Sequence, residues 1–440
     1  MNFDVTQKRS GRPGARSPGG FYGWWILAIS ILVFGASAVG QTQGFSVLLV
    51  PLQGDTRLEP QKFALSFLVG GLLGAVVLPF IGRLIDDFGP RAILLWSSGI
   101  YIGALLALAV IPVQQSTLGA LLVLRMVSST SLWLGASVLV SLWFLRRRGL
   151  ALGLFIGVGS SLLTIGAYGL SVLVQELGVV VSLLIFAALM TIVLIPVLIW
   201  GVADKPSLMS QYPDGEEIVA PDSQDGEKQD GEKGVADPDL IGVTASQAYR
   251  TPLAWILTAG GALQAFVVTG YVFNEAVIFM EQGATAHDAA RSLIPQALAN
   301  AASVLIICAL VDRFRMRWMV TVAMAQIVLC IWWGYNLYAF GSTWLFAANL
   351  GVCLGLIFGY ATAVFPQVYG VRHVGEIRGR FGAASGVAGA CGAWVFTFFD
   401  VDSAEFLIIG IGAVAAIIAA ASWFAPWPTP IEEPGPSPAA

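Results

Sequence analysis

Long uninterrupted runs of apolar residues are the feature that most constrains how this chain can fold. A membrane-spanning helix needs about 20 consecutive apolar residues. Twelve runs of this kind lie at about residues 22–51, 63–85, 90–111, 117–144, 149–174, 178–201, 251–280, 288–311, 317–340, 342–370, 379–399 and 404–425. Only 11% of the 440 residues are charged, whereas soluble domains contain about 25%. The sequence therefore predicts an all-α membrane protein with twelve transmembrane helices.

One internal segment and the two ends differ from the apolar remainder. Residues 202–250 contain the near-repeat Asp225-Gly-Glu-Lys and Asp230-Gly-Glu-Lys and few large apolar side chains. Such a segment cannot bury enough apolar surface to fold. The expected organisation is a disordered cytoplasmic N-terminal tail over 1–20, a six-helix half over 21–201, a flexible cytoplasmic linker over 202–250, a second six-helix half over 251–425 and a disordered C-terminal tail over 426–440.

The basic residues predict how the spans are oriented. Arg and Lys are frequent before span 1 and in the connections after spans 2, 4, 8 and 10. The intervening connections contain only Arg57, Lys62 and Arg291. Because basic connections stay on the cytoplasmic side of a membrane, both termini are expected there, in a multi-pass protein of the inner or plasma membrane.

The two predicted halves repeat each other. Trp25-Ile-Leu27 and Trp255-Ile-Leu257, Gly40 and Gly270, and Arg148-Gly149 and Arg378-Gly379 are all separated by one constant offset. Their shared order makes chance agreement improbable. A six-plus-six parallel repeat is typical of transporters in which the substrate binds near the membrane midplane, between two halves that move against each other.

Several motifs resemble those of a known family. The connection Gly82-Arg-Leu-Ile-Asp86-Asp-Phe-Gly89-Pro-Arg91 resembles the signature between spans 2 and 3 of the major facilitator superfamily. Within that family, Tyr22-Gly-Trp-Trp25, Trp143-Phe-Leu-Arg-Arg-Arg148-Gly149 and Tyr369-Gly-Val-Arg372 look most like the monocarboxylate and oxalate:formate branch.

The resemblance implies a function. It implies a secondary transporter that works by alternating access, as a monomer, on a small organic anion, with proton coupling or by exchange. It also implies a cytoplasmic gate formed by Asp86 with Gly82, Gly89 and Arg91. Asp86 would pair with a nearby basic residue and with the positive N-terminal end of span 11.

Polar residues inside the spans are the candidate ligands. Arg125 in span 4 is the clearest intramembrane cation, and a charge there costs several kcal/mol unless it faces a polar cavity or a partner. It is interpreted either as an anion site or as a structural group bound to backbone carbonyls or to Glu275. Glu275 is in turn a candidate coupling group or a solvated group at the outer mouth. The remaining candidate ligands are Gln41, Gln43, Tyr271, Asn274, Gln296 and Asn300.

Other kinds of function lack their motifs. No Gly-x-x-x-x-Gly-Lys phosphate loop is present, and His287 and His373 are too far apart for a metal pair. The four cysteines lie in apolar runs without Cys-x-x-Cys spacing. The chain is expected to be no enzyme and to need no cofactor, metal or nucleic acid; its expected partners are a small-molecule substrate, protons and the bilayer. Because spans 8 and 11 lack the cation usual in the branch, a neutral or cationic solute stays an alternative, as does a non-transporting membrane sensor.

Overall fold

The structure is a computed structural model of the chain. It describes residues 21–56, 59–110, 114–145, 147–209, 211–212, 214, 243–310, 316–335, 343–369, 374–398 and 404–427. The described residues form helices and their connections, which confirms the all-α fold that the sequence predicts. Ten helical stretches of the described residues are long and apolar enough to cross a membrane, and Thr343–Ile357 is a shorter apolar one.

The first half of the chain forms helices α1 to α8. Their bounds are α1 Gly23–Ala36, α2 Thr42–Thr56, α3 Pro60–Phe88, α4 Pro90–Val110, α5 Gln114–Val127, α6 Trp133–Trp143, α7 Arg148–Leu189 and α8 Ile195–Gly201. The backbone leaves the helical conformation within α7 at Gly178, where φ is 80°. Because the continuous stretch Gly149–Gly201 has 53 residues, far more than the about 20 that cross a bilayer, we assign it two spans that turn at Gly178.

The second half follows the same plan. Its helices are α9 Ala245–Ala248, α10 Pro252–Glu281, α11 Ala286–Leu310, α12 Met316–Tyr335, α13 Thr343–Tyr369, α14 Val374–Val395 and α15 Ala404–Phe424. The long helices α10 to α15 correspond to the six predicted spans of this half. With α1–α2, α3, α4, α5–α6 and the two parts of α7–α8, they give the twelve spans expected from the sequence.

Each half has its own apolar core. One buried cluster is built almost entirely from residues of α1 to α8, and a second one from residues of α9 to α15. Phe273 of α10 and Ala393 of α14 are the exceptions, because they pack in the core of the first half. The two halves therefore have separate cores, and Phe273 and Ala393 are the buried apolar residues of the second half that enter the core of the first.

The halves touch along only part of their length. We call the end of the bundle that carries the Gly82–Arg91 connection the basic end, and the opposite end the distal end. A Cβ atom added at Gly149 or Gly153, near the basic end of α7, would meet nothing within 4 Å, whereas one at Gly157 would lie 2.7 Å from Val304 of α11. At the distal end, Gln175 of α7 donates a hydrogen bond to the backbone oxygen of Ala286. Among the described residues, the halves thus touch at the distal end, whereas α7 has free space beside Gly149 and Gly153 near the basic end.

Both ends of the predicted linker have defined structure. Pro206–Met209 forms a short 3-10 helix, and Thr244 and Gln247 form a reciprocal capping box at the start of α9. Asp214 accepts hydrogen bonds from the backbone nitrogens of Leu145 and Arg147. The prediction of disorder covers residues 1–20, 202–250 and 426–440. Apart from the two linker ends and residues 426–427, these residues lie outside the described ones, so the prediction stays a prediction there.

Candidate functional site

The first span is interrupted near its middle. A 3-10 turn, Ser37–Gly40, follows α1, and Gln41 has an extended backbone (φ −96°, ψ 172°) before α2 begins. Inside a membrane, backbone groups freed by such a break need other partners. The Tyr101 hydroxyl of α4 supplies two bonds, because it donates to the Ser37 oxygen at 2.9 Å and accepts from the Gly40 nitrogen at 2.8 Å. The break is therefore held open by hydrogen bonds within the bundle.

The fourth span has its own irregularity opposite this break. A π-helical turn, Ser128–Leu132, separates α5 from α6. The Ser128 Oγ donates to the Gly40 oxygen at 2.8 Å, and the Gln41 Nε2 donates to the Ser128 backbone oxygen at 3.1 Å. Single π turns inside helices occur frequently at functional sites. Two irregular segments thus meet at one place, where backbone and amide groups replace regular helical packing.

Arg125 lies about one helical turn before this π-helical segment, and its side chain points to the break in the first span. Its Nη1 donates to the Gln41 Oε1 at 3.0 Å, and its guanidinium carbon lies 4.1 Å from the ring centroid of Phe67. The Nε is buried without a hydrogen-bond partner. No described carboxylate pairs with Arg125, so the pairing with Glu275 that the sequence left open is not present here. The site holds one positive charge with a free donor.

Four phenylalanines close the space on the distal side of Arg125. Phe45 of α2 and Phe67 of α3 both contact Phe273 of α10, with ring centroids 6.2 and 5.0 Å apart. Phe63 completes the group, 5.9 Å from Phe273. Since Phe273 belongs to the second half and the other three to the first, these rings form an apolar barrier between the halves.

Glu275 lies beyond that barrier, in a cleft near the distal end that Gln43 also lines. One carboxylate oxygen, Oε1, accepts a hydrogen bond from the Ser292 Oγ at 2.9 Å. The other, Oε2, is buried without a hydrogen-bond partner. Of the predicted site residues, Arg125 and Gln41 are therefore brought together in one place, and Glu275 and Gln43 in another.

Asn300 and Gln296 lie on α11, where it packs against α7. The Asn300 Nδ2 donates to the Ser160 Oγ at 2.8 Å and to the Ser161 Oγ at 3.2 Å, across the seam between the halves. Gln296 is fully buried, and neither of its side-chain polar atoms has a hydrogen-bond partner. This pair lies in the closed seam instead of beside Arg125.

Tyr271 and Asn274 contact residues of their own half. The Tyr271 hydroxyl donates to the Ile331 oxygen at 3.3 Å, and its ring packs on Phe346 and Phe396. The Asn274 Nδ2 donates to the Ala393 oxygen at 3.3 Å. In this conformation both side chains connect α10 to its neighbours, and neither reaches the Arg125 site.

The predicted gate residues lie at the basic end. Asp86 is exposed, and within the described part of the chain it has no hydrogen bond or ion pair; a Cβ atom at Gly82 would meet nothing within 4 Å. Arg91 instead braces the first half, because its Nε donates to the Leu198 oxygen at 3.2 Å and its backbone nitrogen donates to Asp204 at 2.8 Å.

Gly89 lies beside that brace. Its φ of 83° favours glycine, and an added Cβ would lie 3.1 Å from the Asp204 carboxylate. Gly89 and Arg91 thus connect α4 to the end of α8, a role that the signature alone does not reveal.

Sequence reasoning missed Ser128, Tyr101, Phe67 and Phe273. The run Ser128-Ser-Thr-Ser131 in an otherwise apolar span was an available signal for the π-helical turn. The phenylalanine partners gave no such signal, since phenylalanine occurs in ten of the twelve predicted spans. Among the described residues, no group of three His, Cys, Asp or Glu side chains could hold a metal ion.

The comparisons with known proteins agree with this architecture. Residues 24–285, more than half of the chain, match the family model described as Major Facilitator Superfamily. No curated protein matches the chain. The family match does not distinguish the monocarboxylate branch from others. With twelve assigned spans in two halves, a broken first span and this match, the chain belongs to the major facilitator superfamily, a family of membrane transporters and not of enzymes.

Proposed function

We propose that this transporter carries a small organic anion of the monocarboxylate type, with Arg125 as the partner of the substrate carboxylate. The observation that supports the proposal is the guanidinium itself, which lies in the membrane without a described carboxylate and with an unpaired Nε. Such a charge is costly unless something compensates for it. A bound carboxylate would provide both the negative charge and the missing acceptor.

The neighbours of Arg125 favour a carboxylate over a larger anion. The Gln41 Nε2 donates to a backbone oxygen, so its Oε1 must face Arg125. One guanidinium edge is thereby held, and the Phe67 ring covers a face. The rest of the planar fork is free to bind a carboxylate in the bidentate manner that Arg favours. We expect no second charge to be needed, which limits the substrate to one carboxylate.

The positions of the basic residues set the orientation that we propose for the protein in its membrane. We place the basic end in the cytoplasm of a cell with an inner or plasma membrane, because basic connections stay inside. The transporter would then work as a monomer, with alternate opening of the basic and distal ends. A neutral or cationic solute is the second candidate, and the unpaired oxygen of Glu275 favours the cationic one.

Transport by proteoliposomes tests this proposal. Purified protein is reconstituted, and the uptake of radiolabelled lactate, glycerol and choline is compared, with and without an inward pH gradient and with and without unlabelled substrate inside. We expect saturable uptake of the acid only, stimulated by the pH gradient or by internal substrate. Uptake of glycerol or choline, with none of the acid, would contradict the anion proposal.

Glu275 is our candidate for the proton-coupling residue. Ionised, its buried carboxyl has no described cation beside it, which costs several kcal/mol that protonation removes. The Cys330 thiol of α12 is a titratable group that interacts with it electrostatically. Glu275→Gln, which resembles the protonated form, should remove the stimulation by a pH gradient and preserve exchange. Glu281→Gln, at the exposed end of the same helix, serves as the control. Equal stimulation of Glu275→Gln and parent would exclude the coupling role.

Asp86 is expected to affect the transport cycle more than stability. In this conformation it is exposed, so Asp86→Asn should leave the melting temperature within about a degree, as surface changes usually do. When the basic end closes, its pairing with a basic residue and a helix N-terminus should contribute about 1–2 kcal/mol. Losing this should slow transport about five- to thirtyfold. Uptake rates at matched membrane levels measure the effect, with neighbouring Asp87→Asn as the control; normal rates in Asp86→Asn would disprove the gate.

A further inference from the structure

The cleft near the distal end is a second place where a ligand would fit. Helices α2 and α7 of the first half form one wall, and α10 and α11 of the second half form the other. The volume of the cavity is about 80 Å³. Neither Arg125 nor Gln41 lines it, and none of the four phenylalanines Phe45, Phe63, Phe67 and Phe273 does. The cleft is thus distinct from the Arg125 site.

The described residues that line the cleft include an acidic side chain and no basic one. Glu275 is 2% exposed, and its Oε2 has no hydrogen-bond partner. The described residues that line the cleft include no Lys, Arg or His. Ser292 satisfies only the Oε1 atom. An ionised carboxylate in such surroundings needs a positive partner, which this part of the chain does not supply.

The other residues that line the cleft indicate what kind of cation would match it. Gln43, Ser46 and Ser171 are neutral groups that can accept hydrogen bonds. Most of the other lining residues are apolar, and they include Val47, Val174, Ala290 and Leu293. A ligand that matches this surface has a cationic head with several N–H donors and a short apolar chain.

We propose that the distal cleft binds a small alkylammonium ion. Its ammonium group would pair with the Glu275 Oε2, and its chain would lie against the apolar wall formed by Val47, Val174 and Leu293. A bare sodium ion would find few oxygen ligands on such a wall, and a neutral alcohol would leave the carboxylate without a partner.

Binding there should also affect transport. The ligand would contact both halves at the end where they are closed, and a ligand shifts an equilibrium toward the state that it contacts better. The distal-closed conformation would be stabilised, so that an alkylammonium added from the distal side acts as an inhibitor. Since a proton and an ammonium group would neutralise the same carboxylate, the two should compete.

Thermal unfolding of the full-length protein in lipid nanodiscs, without any transport substrate, tests the site. The melting temperature is titrated with n-butylammonium chloride, and at equal concentration and ionic strength with n-butanol or sodium chloride. We expect a saturable increase with butylammonium alone. Glu275→Gln should weaken the apparent affinity for butylammonium at least tenfold. Glu176 is an exposed acid at the distal turn of α7, and Glu176→Gln should leave that affinity unchanged.

A second variant keeps the carboxylate and changes the cleft. Ala286 lies exposed at the rim, so Ala286→Phe should fold normally and still abolish binding by blocking the mouth; it decides the matter if Glu275→Gln does not fold. An equal stabilisation by butanol or by sodium chloride, or unaltered butylammonium affinity in Glu275→Gln or Ala286→Phe, would overturn the proposal. Because no substrate is present, these outcomes are independent of whether Arg125 carries an anion.

Discussion

Arg125→Gln is expected to abolish uptake of the anionic substrate in a protein that still folds and reaches the membrane. Glutamine can keep a hydrogen bond to Gln41, but it removes the positive charge that faces the break in the first span. Hydrogen bonds to charged groups contribute about 1.5–3 kcal/mol each, and a bidentate carboxylate would lose two. The expected decrease in uptake is therefore more than about a hundredfold.

Arg125→Lys distinguishes charge from geometry. Lysine preserves the positive charge but cannot form a planar fork with the carboxylate. It also lacks the flat guanidinium that lies 4.1 Å from the Phe67 ring centroid. Weak transport, with a raised KM, is expected for this variant.

Uptake and thermal unfolding are measured together on both variants, with exposed Arg291→Gln of α11 as the control. Normal uptake by Arg125→Gln would refute the anion proposal and favour a neutral solute. If Arg125→Gln were misfolded while Arg291→Gln was stable, Arg125 would instead be a structural residue of the first half.

The spans were predictable because their cause is local. An apolar run of sufficient length has to become a helix in a bilayer, since its backbone groups have no other partners there. Arg125 was predictable for a related reason. A charge in such an apolar run costs free energy in the membrane, and it therefore indicates a candidate functional residue. Neither inference requires knowledge of what packs beside the residue.

The interruption of the first span could not be predicted in this way. The repeat aligns Gly40 with Gly270. The helix of the first span is interrupted at Gly40, whereas α10 continues unbroken from Pro252 to Glu281. At Gly40 the freed backbone groups find Tyr101 and Ser128, whereas Gly270 is covered by the Phe396 ring. The difference lies in tertiary partners contributed by other spans.

The same cause separates the candidate ligands. Gln41 and Tyr271 occupy matching positions in the repeat, but only Gln41 meets Arg125. The side chain of Tyr271 lies against Phe346 and Phe396 in the core of its own half. Polarity and depth could nominate both residues, but the direction of each side chain depends on helix packing that the sequence does not state.

Gly40→Ala should strongly damage the site although it adds a single methyl group. An added Cβ would lie 2.5 Å from the backbone oxygen of Leu124 and 2.8 Å from the Ser128 Oγ. The Leu124 oxygen belongs to α5 and cannot rotate away, so α5 and the break must separate. Overpacking of this kind costs about 1–3 kcal/mol, and the separation would also displace Arg125.

Two other glycines provide comparison substitutions for Gly40→Ala. At Gly270 an added Cβ would meet the Phe396 ring at 2.5 Å, and a side chain can shift more readily than backbone; at Gly103 it would meet nothing within 4 Å. We therefore expect the melting temperature and the uptake rate to fall most in Gly40→Ala, less in Gly270→Ala and not at all in Gly103→Ala. Uptake by Gly40→Ala should fall at least tenfold, because the Arg125 Nη1 and the Gln41 Oε1, now 3.0 Å apart, lie on the two elements that are forced apart. Equal uptake by Gly40→Ala and Gly103→Ala would show that the contact between the break and α5 does not position the site.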